Sequence, residues 1–142
     1  MVALLFRKEN NIMPYKENEP FYCLVVGSRS FNDYKLLKEK LDYFLQNYKN
    51  IHIVSGGAKG ADTLAERYAK ENGYQMHIFP ANWDKYGKSA GYKRNEQMHQ
   101  FISQYSKRGC ICFWDGKSKG TQHNFSLAEK YSNQLRVILI PN

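Results

Sequence analysis

The sequence has little cysteine, with only Cys23, Cys110 and Cys112 among 142 residues. So sparse and odd a set excludes a disulfide framework and makes a reducing cytoplasm the expected compartment. No apolar run approaches the roughly 18 residues of a membrane helix. Residues 2–6 are apolar but too few for a signal-peptide core, and no small-residue cleavage site follows. No membrane partner is expected. Metal patterns are missing too. His52, His77, His99 and His123 show no H-E-x-x-H spacing, and Cys110-x-Cys112 has no second ligand pair, so these two read as buried strand cysteines. There is no Ser-His-Asp signature and no G-x-S-x-G elbow. Acidic residues are few: 13 Asp+Glu face 21 Lys+Arg, a net charge of +8. That balance points to an anionic partner, which composition leaves open between nucleic acid, a nucleotide and solvent alone.

What is present is enough for a core. Hydrophobic residues make up 42% and aromatics 15%, which argues against a disordered chain. The length suits one domain. Residues 1–20 are mixed and polar and read as an extension, with Met13 as an alternative start; the domain is expected over 21–142. From residue 21 short apolar runs recur at 21–26, 51–54, 75–79, 110–113 and 135–140, each closed by glycine, proline or another turn residue. Such runs read as buried parallel strands. Between them lie helical stripes: Leu37, Leu41, Phe44, Leu45 and Tyr48; Leu64, Ala65, Tyr68 and Ala69; Met98, Phe101, Ile102 and Tyr105; and a weaker Phe125, Ala128 and Tyr131. Alternating strands and helices predict an α/β fold, an open parallel sheet of about five strands with helices on both faces.

In such a sheet ligands bind where strands end and strand order reverses. Four strand exits carry the chemistry. The first is Gly27-Ser28-Arg29-Ser30-Phe31-Asn32-Asp33. Glycine permits a tight exit, Ser28 offers a hydroxyl and Arg29 a permanently charged fork for phosphate or carboxylate; Ser30, Asn32 or Asp33 would cap the next helix. The second, Ser55-Gly56-Gly57-Ala58-Lys59-Gly60-Ala61-Asp62, suits close approach of backbone N–H groups to a phosphate at a helix N-terminus. It is neither a Walker A loop nor a strict G-x-G-x-x-G fingerprint, and no cofactor is expected. Asp62 fits either a helix cap or a ribose hydroxyl. The third, residues 80–94, is expected to be an irregular loop or lid of about eleven residues. It carries Trp83 and Tyr86 to stack on a base or bury the loop, Lys88, and Arg94 with Asn95 opening the next helix. The fourth, Trp114-Asp115-Gly116-Lys117-Ser118-Lys119-Gly120-Thr121, offers Thr121 as an N-cap, or Gly120 and Thr121 as phosphate donors. Residues 84–119 hold eight basic against three acidic residues, so charge concentrates along the third and fourth exits.

Five ordered blocks, Val26-Gly-Ser-Arg29-x-Phe31-x-Asp33, Ser55-Gly-Gly-Ala-x-Gly-Ala-Asp62, Trp83-x-x-Tyr-Gly-Lys88, Ala90-Gly91-x-x-Arg94-Asn95-x-x-Met98 and Gly116-x-Ser-x-Gly-Thr121, together resemble the YspA-like branch of the SLOG superfamily. That superfamily groups the Smf/DprA and LONELY GUY proteins. The resemblance runs from about residue 21 to 140. It implies a Rossmann-like fold and a phosphorylated nucleoside or ADP-ribose-like ligand, its phosphates held by the glycine loops. A sensor or sequestering protein of a phage or bacterium, and a homo-oligomer, are in keeping with it. Two alternatives stand beside this: an N-glycosidic nucleotide hydrolase similar to the LONELY GUY enzymes, and a single-stranded DNA binder similar to Smf/DprA, nucleic acid being the second choice of partner. Arg94 is similar in position to the LONELY GUY arginine and is the best catalytic candidate. Asn124 stands where that family has a catalytic glutamate, and an amide cannot act as a carboxylate.

Overall fold

The computed structural model describes residues 19–141. The expected extension, save its last two residues, lies outside the described residues, as does Met13. The longest apolar run forms β1 (Phe21–Gly27), whose Cys23, Leu24 and Val25 have no exposed surface. A strand covered on both faces has no place for polar alternation, hence the unbroken run. α1 (Tyr34–Leu45), β2 (Ile51–Ser55), α2 (Ala61–Asn72), β3 (Gln75–Ile78), α3 (Trp83–Tyr86), α4 (Ala90–Ile102), β4 (Arg108–Trp114), α5 (Lys119–Lys130) and β5 (Leu135–Leu139) follow. The five strands form one parallel sheet in the order β3-β2-β1-β4-β5, with Gly27 of β1 opposite Phe113 of β4. The fold is a Rossmann-like α/β sheet, as expected.

The two faces have separate cores. On one, Leu37, Leu41 and Leu45 of α1 and Ala61, Ala65, Tyr68 and Ala69 of α2 pack on Cys23, Val25, Ile53 and Phe113. On the other, Met98 and Ile102 of α4 pack on Leu24, Val26, Val54, Cys110 and Cys112. The two β4 cysteines are thus buried strand residues. β3 and β5 are not the buried strands their apolar runs predict. As the two edges they have one neighbour each, and Ile78, Val137 and Leu139 remain exposed. Two helical stripes also end early. Tyr48 lies past α1 and stacks on Phe21, and Tyr105 lies past α4 and stacks on Tyr22. In α5 the buried positions are Thr121, Asn124, Leu127 and Ala128, while Phe125 and Tyr131 are only half-buried.

The stretch at 80–94 is not an irregular loop. The Asn82 side chain accepts the Lys85 N–H at 3.1 Å and starts α3, Gly87 ends it at φ 58°, and a 3-10 turn over Gly87–Ser89 leads directly into α4. Local capping overrides the glycine-rich composition. Arg94 therefore sits a full turn inside α4, facing the sheet, and does not open the helix.

A polar network crosses the interior between α4 and α5. Asn124 Oδ1 can only accept, so His99 Nε2 carries the ring proton and donates to it at 3.0 Å. His99 Nδ1 then accepts from Asn133 Nδ2 at 3.0 Å, and Asn133 Oδ1 accepts from Arg108 Nε at 2.6 Å. Burial keeps His99 neutral and pulls its pKa from 6.5 to about 4; burial also lowers those of His52, His77 and His123. Between about 4 and 6.5 the unfolded chain binds more protons than the folded one. Stability is therefore full above pH 6.5 and falls as the pH drops toward 4. Thermal unfolding across that range checks this, and His99→Gln is expected to lower the midpoint at pH 7.5 while flattening its pH dependence.

Candidate functional site

From β1 the chain winds outward through β2 to β3, then returns to place β4 on the other side of β1. The crevice this leaves at the carboxyl ends of β1 and β4 opens into a cavity of about 520 Å³. Gly27 makes the tight exit from β1. A Cβ there would lie 2.6 Å from the Phe113 carbonyl and 2.7 Å from Ala61 Cβ, so only glycine lets β4 and α2 close in. The next residue ties the loops together. Ser28 N–H donates to the Phe113 carbonyl at 3.0 Å, and its own carbonyl accepts the N–H groups of Phe31 and Ala61, both at 3.2 Å. The Ser28 hydroxyl donates to Asp115 Oδ2 at 3.3 Å.

Asp115 is bound from behind as well. Its Oδ1 accepts the N–H groups of Ser118 at 2.8 Å and Lys117 at 2.9 Å, and these two bonds hold the carboxyl below its ordinary range. Ser118, not Thr121, caps α5: its side chain accepts the Thr121 N–H at 3.4 Å. Of the three candidates on the first loop, Asp33 caps α1 through the Leu36 N–H.

The glycine loop after β2 turns its donors inward. Gly57 N–H donates to Ser55 Oγ at 3.3 Å, and Ala58 N–H donates to Asp62 Oδ2 at 3.1 Å. Asp62 thus bonds back across the loop and not to the N–H groups of its own helix. It is 7% exposed; burial pushes its pKa up, while the Ala58 N–H and the Arg94 charge pull it down. Arg94, 9% exposed, donates from Nη1 to the Gly56 carbonyl at 2.7 Å and from Nε to Asn95 Oδ1 at 3.0 Å. Burial lowers its pKa, yet a guanidinium stays charged. Among the described residues its other N–H groups have no hydrogen-bond partner, and Asp62 reaches it only through the field.

The expected residues divide into two sets. Gly27, Ser28, Arg29 and Asp62 line the cavity, as do Trp83, Lys88, Arg94, Asn95, Asp115, Gly120 and Thr121. Ser55, Gly56, Gly57, Lys59 and Gly60 are not in its lining: Gly57 and Lys59 are exposed, while Gly56 packs on Arg94 and Gly60 on the Ser28–Arg29 backbone. Tyr86 is turned away, flanked by the ammonium groups of Lys85 and Lys93 at 5.1 and 5.0 Å. At the mouth, half-exposed Trp83 faces the Arg29 guanidinium at 5.9 Å. Ser30, Ala58, Tyr92, Ser118 and Asn124 also line it and were missed. Three of these left a signal: Ser30 on the first strand exit, Ser118 in its N-cap spacing before α5, and Asn124 in the block that resembles the LONELY GUY motif. The basic segment is also split by the fold. Arg108 begins β4 at the opposite end of the sheet, bonded to Asn133 and to the carbonyls of Tyr105, Tyr131 and Ser132. Among the described residues the cations that line the cavity are Arg29, Lys88 and Arg94.

Residues 23–86 match the model of the YspA, cpYpsA-related SLOG family. Over 113 residues, 75% of this chain and 87% of the relative, the sequence is 32% identical to the Gene 61 protein of Mycobacterium phage D29. Two solved structures share the fold. DNA processing protein A (DprA) of Streptococcus pneumoniae aligns with a TM-score of 0.57 at 22% identity, over 85% of this chain and 50% of that one. DNA processing protein A of Helicobacter pylori, solved for its single-stranded DNA binding mode, aligns with a TM-score of 0.57 at 21% identity, over 85% and 66%. The chain thus spans half to about two-thirds of those longer proteins.

The packing at Gly56 gives a test. A Cβ there would sit 2.5 Å from Arg94 Nη1 and displace the guanidinium. Gly56→Ala is expected to cost about 1–3 kcal/mol, the scale of an orphaned buried charge-assisted bond. Gly120→Ala, which meets nothing within 4 Å, should leave stability unchanged or slightly raised. Chemical denaturation of both variants compares them.

Proposed function

Since the chain belongs to the YspA, cpYpsA-related SLOG family, we propose that its cavity binds a phosphorylated nucleoside or an ADP-ribose-like ligand. The observation that carries this is Arg94, a buried guanidinium with open donors inside a cavity of about 520 Å³ at the sheet's switch point. A buried cation with donors to spare is stabilised when a phosphate fills them. Ser28, Gly120 and Thr121 lie in reach of the same ligand, and the exposed rings of Trp83 and Tyr92 offer a base a surface to stack on. Binding without turnover is the better reading. Asn124, at the place of the LONELY GUY glutamate, is 1% exposed and engaged with His99 and the carbonyls of Gly120 and Thr121. It holds α5 and supplies no base. A sensor or sequestering role suits such a protein, in keeping with a relative carried by a mycobacteriophage.

Single-stranded DNA is the second reading, favoured by exposed Trp83 and Tyr92 beside Arg29 and Lys88 in the cavity lining. One experiment separates the two. AMP and ADP-ribose are expected to raise the unfolding temperature by several degrees at saturation, and Arg94→Gln to weaken binding at least roughly tenfold while retaining its circular dichroism. A flat response to both compounds, with oligonucleotide binding that falls steeply with salt, would reverse the order.

A further inference from the structure

Two of the loops that look built for phosphate already hold an anion, and it belongs to the protein. In the loop after β2 the Ala58 N–H points to the Asp62 carboxylate. In the loop after β4 the N–H groups of Lys117 and Ser118 point to the Asp115 carboxylate. A third potential donor, the Ser28 hydroxyl on the loop after β1, is also spent on Asp115. Both carboxylates line the cavity. Asp62 is buried, so a second negative charge beside it would be poorly screened. Asp115 is more open, yet its bonds to Ser118 and Lys117 favour its charged form.

The cations are distributed differently. Among the described residues that line the cavity, Arg94 is the one buried cation; Arg29 and Lys88 are exposed at the mouth, where solvent screens them. The interior therefore offers one seat for an anion, between α4 and the end of β2, and two carboxylates that accept hydrogen bonds but repel charge. Carboxylates so placed suit hydroxyl and amine donors, such as a sugar diol or an exocyclic amino group.

Resting on the nucleotide reading above, we infer that the cavity takes a ligand bearing a single phosphate, held by Arg94, and that Asp62 and Asp115 are specificity residues that read its uncharged donors and turn away further phosphates. Of the two ligand types proposed, this selects the phosphorylated nucleoside over the ADP-ribose-like compound. It departs from a phosphate-cradling glycine loop, in which each added phosphate finds further N–H donors.

The test is isothermal titration of the full chain with AMP, ADP, ATP and ADP-ribose, in EDTA so that no divalent cation masks phosphate charge. For the parent protein AMP is expected to bind at least as tightly as the other three. Asp62→Asn and Asp115→Asn keep the side-chain shape and an accepting oxygen for the loop N–H groups but remove the charge. Either is expected to raise the affinity for ADP relative to AMP by roughly tenfold, the scale of relieving one like-charge contact. If one variant fails to fold, the other still decides. ADP, ATP or ADP-ribose binding the parent more tightly than AMP, or an ADP to AMP ratio unmoved in the folded variants, overturns the inference while leaving the nucleotide site intact. If none of the four binds, the nucleotide reading falls and this inference with it.

Discussion

The bond from Arg94 to the Gly56 carbonyl organises this molecule. It joins the middle of α4 to the end of β2, across 38 residues of chain, and puts a full positive charge into the interior. A buried guanidinium is costly unless its donors are met and its charge is answered. The surroundings are arranged to do that. Asn95 takes Nε, Gly56 takes Nη1, and the Asp62 charge stands close by. Gly56 has to be glycine because the guanidinium occupies the space of its side chain. The donors left over are what gives the cavity its chemistry.

A second constraint sits behind the first. Gly120, in the opening turn of α5, has its carbonyl bonded by both Asn95 and Asn124, and Asn124 is in turn held by His99. The line continues through Asn133 to Arg108 at the far end of β4. These are polar groups in an interior that could have been apolar, and every member has a partner, which is the condition under which such a network fixes geometry. It sets α4 and α5 against each other and so sets the width of the cavity between them. The same network accounts for Asn124. Bonded to His99 and to the carbonyls of Gly120 and Thr121, it is a strut between α4 and α5.

The strand runs, the helix order and the four strand exits were legible because burial on two faces leaves a signal in every residue of a short stretch. The errors have equally local causes. β3 and β5 look like core strands in sequence, since an apolar run does not say whether a neighbour lies on one side or both. Residues 80–94 look irregular because their glycines and lysines hide a cap at Asn82 and a helix stop at Gly87. Lys107 and Arg108 look like part of a basic loop cluster and lie at the opposite end of a strand.

The sequence by itself determined that this is an open parallel sheet with phosphate-sized, glycine-rich turns at its carboxyl ends, because strand burial and backbone freedom are properties of neighbouring residues. It also singled out most of the residues that line the cavity. Only the tertiary structure decided where the donors of those turns point. Whether the Ala58 N–H meets a ligand or Asp62, and whether Ser28 is free or bound to Asp115, depends on distances between elements far apart in the chain. Composition shows that a loop can bind an anion; packing shows that this protein supplies the anion itself and leaves Arg94 as the buried cation with donors to spare.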